Sequence, residues 1–310
     1  MKTFTFTKKW PMITLTALAL SVGVAACGDD GDDDDGGDDA GQATTTDVEL
    51  SFAARVGSAA AACGQEYPDI GTADTRISIK DLRMFISDVR LIGDSGEVAL
   101  ELEQDGVWQY ENVALLDFEN ASDACAEAGT TETNTAIRGT VPEGTYSGIT
   151  FVLGVPFELN HQDSATAPSP FNLGAMQWNW QGGYKYLRVD LLNDNPAPGN
   201  AWNIHLGATG CESAGPTEAP ASECARPNRP EYSFAAFDPT TEEVVMDLAA
   251  ILDGSDVSIN TLDTPPGCMS FPPDVDDCAQ VFPSLGLSFD TGLCVEDCAN
   301  QTLFTVQDKQ

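Results

Sequence analysis

The chain has 310 residues, 14 of them Lys or Arg and 49 Asp or Glu, for a formal net charge of −35. So negative a protein excludes nucleic acid as a ligand, because phosphates demand a basic face. It draws in positive ions and basic proteins instead, although solubility or a saline habitat is the plainer cause of such acidity.

The opening MKTFTFTKKWPMITLTALALSVGVAAC reads as a secretory signal over residues 1–26, with Lys2, Lys8 and Lys9 ahead of a short apolar core that ends in small residues. It is too short and wrongly flanked to span a bilayer. VAAC, residues 24–27, is similar to a lipobox, which implies cleavage before Cys27, acylation of that cysteine and a soluble domain held by lipid alone. Gly28 follows, where an aspartate would favour retention in the inner membrane, so the expected location is the outer membrane of a diderm bacterium. Next comes GDDGDDDDGGDDAGQATTT, whose aspartates repel one another and bury nothing. Residues 27–45 are therefore expected to be a disordered acidic tether.

From residue 46 to 310 the pattern is mostly of period two, the mark of half-buried strands. VELSFAARV and RISIKDLRMFISDVRLIG show it first, then VALELEQ, VWQYENVALLDF, TAIRGTVPEGTYSGITFVLGV, WNIHLGA, YSFAAF and EEVVMDLAAIL. Gly, Pro, Asp and Asn punctuate these runs, as in DSGE, PEGT and NDNPAPGN. The expected class is all-β: one β-sandwich or open barrel with long loops and a disulfide-stapled C-terminal segment. Residues 265–310, rich in proline and cysteine, form that segment and are the candidate for a small second lobe.

Eight cysteines remain after Cys27, and an even count in an exported chain reads as disulfides, although eight allow 105 pairings. Proximity suggests Cys211 with Cys224, Cys268 with Cys278 and Cys294 with Cys298, leaving Cys63 for Cys125. In CVEDC, residues 294–298, one helical turn is expected to bring the sulfurs together.

The segment 161–175, HQDSATAPSPFNLGA, has little pattern and leads as an irregular loop into MQWNWQGGYKY, residues 176–186. On a strand, Met176, Trp178 and Trp180 share one face; Gly182 and Gly183 suggest a bulge or close backbone approach, after which Tyr184, Tyr186, Arg188 and Asp190 resume the alternation. By itself this describes an aromatic core ladder. The chain has only two histidines, however, and both lie near it: His161 opens the loop and His205 sits in WNIHLGA. Two imidazoles with one further donor suit copper.

GVPFELNHQDSATAPSPFNLGAMQWNWQGGYKYLRVD, WNIHLGATGC and PPGCMSFPPDVDDCAQVFPSLGL together resemble the MbnP family, the four-cysteine-motif member of the metallo-mystery pair. The resemblance implies an exported, often lipid-anchored protein and a partner, a di-haem enzyme similar to MauG and bacterial cytochrome c peroxidases. That partner would oxidise one tryptophan to kynurenine, after which the protein binds copper. The conversion makes chemical sense, since an indole nitrogen only donates a proton, whereas the opened ring offers an aryl amine and a ketone. Carried over by position, His161 and His205 are expected as copper ligands and either Trp178 or Trp180 as the modified residue. Trp202 is a third choice, Trp108 lies outside the matching blocks, and Met176 offers a thioether but reads more plainly as core. Cys211, Cys224, Cys268 and Cys278 match the family's cysteines and would fix the strand carrying His205.

The rival reading is a non-catalytic surface module that uses the Trp and Tyr residues as a platform for glycan or protein. Catalysis is not expected, because the chain has no GxSxG, HExxH, GxGxxG or P-loop pattern.

Overall fold

Alternation in Thr45–Val56 turns Leu50, Phe52, Ala54 and Val56 inward. The same rule turns Ile77 and Ile79, and beyond a register shift Leu82, Met84 and Ile86, inward from the 19-residue strand Thr75–Gly93. These two strands organise two sheets around one core. The computed structural model describes residues 44–127, 129–196 and 199–309. The expected signal peptide, lipidation at Cys27 and nearly all of the tether lie outside the described residues. The first strand begins at Thr45, one residue ahead of the expected domain start.

Among the described residues the strands form a six-stranded sheet, a ten-stranded sheet and a two-stranded hairpin. In the first sheet Thr45–Val56 lies parallel to Glu242–Asp247 and antiparallel to Ala136–Pro142, with Phe304–Asp308 closing one edge. In the second, Thr75–Gly93 pairs with Tyr146–Leu153, Leu187–Asn193 and Val113–Asp117, and Ala201–Leu206 adds outside Leu187–Asn193. Leu50, Phe52, Phe151, Val189, Ile204 and Phe304 meet between the sheets in a shared apolar core. The architecture is the expected sandwich rather than a barrel: the sheets are mixed and do not close.

PEGT separates strands of different sheets, Ala136–Pro142 in the first and Tyr146–Leu153 in the second, and so passes between layers. Two local expectations are corrected. EEVVMDLAAIL is a strand only to Asp247, whose carboxylate accepts the Ala249 N–H at 2.9 Å and caps the helix Leu248–Leu252. The C-terminal segment is not a separate lobe, because Gly267–Cys268 pairs with Ala201–Leu206 in one sheet while Phe304–Asp308 belongs to the other.

The disulfides join Cys63 to Cys125, Cys211 to Cys224, Cys268 to Cys278 and Cys294 to Cys298. These are the pairs that proximity suggests. The turn inside CVEDC has the opposite hand to the one expected: Glu296, Asp297 and Cys298 have φ of 50°, 53° and 58°. Three successive left-handed residues without glycine are costly, at about 1–2 kcal/mol each, and the Cys294–Cys298 bond spans them.

Candidate metal centre

The outer face of the ten-stranded sheet carries charge where a sheet of this class normally turns to solvent. Register sets Arg188 opposite both Arg83 and His205, and Asp190 opposite both Asp81 and Asn203. Arg83 grips Asp81, while Arg188 donates to Asp190 at 2.6 and 3.1 Å and approaches Asp81 at 3.1 Å. All four are buried. Lys185 adds a fifth buried charge, donating to the Ala175 carbonyl at 2.7 Å; burial, reinforced by the Arg188 guanidinium, brings its pKa down to about 8.

Residues 155–186 fold over this face. Phe171, Met176, Tyr184 and Tyr186 join Phe85, Val113 and Leu115 in a second apolar cluster. Phe171 stacks on Phe85, and the Tyr184 hydroxyl donates to the Phe171 carbonyl at 2.6 Å. Met176 is wholly buried, in line with its core reading, and Tyr184, Tyr186, Arg188 and Asp190 share the outer face as alternation expects.

The WNW stretch is interrupted earlier than the expected bulge at Gly182 and Gly183. Met176 ends the 3-10 turn Gly174–Met176, Gln177–Asn179 is a three-residue strand, and Trp180 lies in the turn leading to Gly183–Tyr184. The turn requires glycine at 183: φ is +75°, and a Cβ there would stand 2.6 Å from the Asn160 amide carbon. The two indoles are therefore not stacked neighbours on one strand face. Trp178 packs on Phe271, with ring centroids 5.0 Å apart, and over Gly207, where a Cβ would come within 2.6 Å of its ring. Trp180 serves through its backbone instead.

His161 follows the helix Phe157–Asn160. Its Nδ1 lies 2.9 Å from the Trp180 carbonyl oxygen, an acceptor only, so Nδ1 carries the proton and donates. The lone pair is then on Nε2, which faces the Asn160 amide nitrogen at 3.3 Å and the Cys224 sulfur at 3.7 Å. Burial holds the imidazole below the usual histidine pKa, partly offset by the bond to Trp180.

His205 occupies the outer face of Ala201–Leu206. Its Nε2 lies 2.6 Å from Asp190 Oδ1, so Nε2–H donates and Nδ1 keeps the lone pair. Burial outweighs the carboxylate's pull and lowers the imidazole pKa. Asp190 is the charged member of the pair: burial works against ionisation, but His205 and the Arg188 fork hold its pKa well below the ordinary carboxylate range. Trp202, three residues earlier, is buried in the core between the sheets, on the opposite face of the strand from His205. Trp108 is half-buried against the second cluster.

No polar contact of His161 is to His205 among the described residues. The tryptophan hairpin links their surroundings: the Trp180 carbonyl holds His161, and the Trp178 ring covers Gly207, two residues beyond His205. Sequence reasoning does not find Asp190 or the Trp180 carbonyl as the groups that orient the imidazoles. The only prior sign of Asp190 is its place in the alternating run.

Among the described residues His161 lies in one cluster of metal-capable atoms with Cys211 and Cys224, and His205 is not part of it. Each ring has one nitrogen committed to an oxygen acceptor, as metal-ligating histidines commonly do.

A family model described as MbnP matches residues 45–270. The solved structure of MbnP from Methylosinus trichosporium matches with a TM-score of 0.77 at 27% sequence identity, covering 86% of this chain and 100% of that one. No curated protein matches the chain.

Proposed function

The chain belongs to the MbnP family, and from that premise we propose that it is a non-catalytic, exported copper-binding protein. His161 Nε2 and His205 Nδ1 are its ligands, and a MauG-like di-haem enzyme supplies a third donor by converting Trp178 or Trp180 to kynurenine. The observation that carries this reading is the fixed tautomer of both imidazoles, one set by the Trp180 carbonyl and the other by Asp190. Copper acquisition or homeostasis is the role, and the lipid on Cys27 anchors the protein at the outer membrane.

Of the two indoles, Trp178 is the better placed for modification. It is half-buried at a cleft lined by Gly182, Ala208, Cys211 and Phe271, and its packing on Phe271 and Gly207 holds it in place. A glycan or protein platform is less well supported, because Tyr184 and Tyr186 are fully buried and Trp178 lies against Phe271 and Gly207 rather than presenting a free face.

Co-production with the di-haem partner and peptide mapping tests the modification. The expected product at position 178 has one carbon fewer and one oxygen more than tryptophan, and unmodified tryptophan at both 178 and 180 under an active partner refutes it. Copper titration of the same material tests the ligands. Tight binding that survives in the His161→Ala/His205→Ala double variant removes the assignment.

A further inference from the structure

Of the four disulfides, Cys211–Cys224 is the one that touches an imidazole. The His161 ring nitrogen and the two sulfurs all lie within 4.8 Å of one another, with Nε2 3.7 Å from Cys224 Sγ. The Trp180 carbonyl takes Nδ1–H, which leaves the Nε2 lone pair between the Cys224 sulfur and the Asn160 amide, which donates to it at 3.3 Å and which a bound metal would displace. While the S–S bond stands, the sulfurs are neutral and weak donors. As thiolates they are the soft ligands that select monovalent copper and zinc.

The sulfurs would remain neighbours after reduction. Thr209 and Arg226 exchange both backbone hydrogen bonds at 2.9 Å, and Ala225 N–H donates to the Gly210 carbonyl at 3.2 Å. These bonds bracket the cysteines without depending on the S–S bond. A small cleft bordered by Phe157, Glu223 and Arg229 reaches His161 and Cys224. The comparable corner at Cys63–Cys125 holds Glu119 in place of an imidazole, and that carboxylate already accepts from the Ala121 and Thr130 backbone.

We propose that reduction of Cys211–Cys224 converts this corner into a second metal site, in which two thiolates and His161 Nε2 bind a soft cation, monovalent copper foremost. A dithiol supplies the two electrons: its own sulfurs form a disulfide, the Cys211–Cys224 bond breaks, each cysteine sulfur takes one proton, and metal binding then displaces those two protons. The site shares His161 with the copper reading above, does not use His205, and stands whether or not a tryptophan is modified.

The full chain, reduced anaerobically with a dithiol and desalted, is titrated with Cu(I) against a chromophoric chelator. The expected result is a thiolate-to-copper ultraviolet absorption that is absent from the oxidised protein and from Cys211→Ser/Cys224→Ser, a variant that keeps every other cysteine. His161→Ala should weaken this binding at least about tenfold, as loss of a ligand costs no less than loss of the group that orients one. A variant-free measurement accompanies these: Cu(I) should protect Cys211 and Cys224 of the reduced wild type from alkylation, as read by peptide mapping. Equal alkylation with and without copper, or the same absorption in the double-serine variant, overturns the proposal. Titration of the oxidised protein reads the two-histidine site instead, so failure of either site is seen separately.

Discussion

At the scale of single residues, the two histidines are held by different means to the same end. A backbone carbonyl fixes His161 and a buried carboxylate fixes His205; the second nitrogen of His161 accepts from the Asn160 amide at 3.3 Å, a bond that a metal would have to displace. Asp190→Asn keeps the shape but removes the charge that orients His205. Copper affinity is expected to fall about 10–100-fold, as measured by chelator competition. The pH dependence has a definite sign. Both imidazoles titrate below the unfolded value of roughly 6.5, so below that value the unfolded chain binds more protons than the folded one. Histidine-linked stability is therefore present above the unfolded pKa and is lost as pH falls through the folded pKa values. Copper affinity falls in the same direction because protons compete for Nε2 and Nδ1. Denaturant midpoints and copper titrations across pH 5–7 check both statements.

At the scale of elements, the three strands Thr75–Gly93, Leu187–Asn193 and Ala201–Leu206 act as a single plate with apolar side chains below and a buried ion ladder above. Arg188 is the hinge of that ladder, since it answers Asp81 and Asp190 together. Arg188→Met leaves both carboxylates undercompensated and is expected to cost about 3–5 kcal/mol, read as a lower denaturant midpoint. His205 would also lose the setting of its partner, so copper affinity should drop in the same variant. The strands of this plate are legible in the sequence because period two survives in each of them. The ladder is not: which charges meet is decided by register, and register pairs Arg188 with residues more than 100 positions away in Thr75–Gly93. The tryptophan hairpin was hidden for a different reason. The alternation of MQWNW gives no sign that the strand ends at Asn179, where the Asn179 side chain accepts the Gly182 N–H at 2.7 Å and Gly183, with positive φ against Asn160, completes the turn.

At the scale of the whole molecule, the site face and the sandwich core are separate apolar clusters on opposite sides of one sheet. Stability and binding should therefore be separable. Phe304, on the C-terminal edge strand, packs edge-on against Phe151 and Tyr232 between the sheets. Phe304→Ala is expected to cost about 3–5 kcal/mol by denaturant unfolding while leaving copper affinity unchanged. The class of fold and all four disulfide pairs were readable from sequence, since alternation marks strands and three of the four pairs close short loops. The weave of the C-terminal segment into both sheets was not readable, because its strands are short and their partners lie far away in the chain. In the function proposed above, two distant imidazoles grip one copper ion. X-ray absorption at the copper edge of the oxidised, partner-treated protein tests it most directly. The predicted spectrum shows the scattering of two imidazoles, reduced to one in His205→Ala; a wild-type spectrum without paired imidazole scattering, or one that His205→Ala leaves untouched, contradicts it.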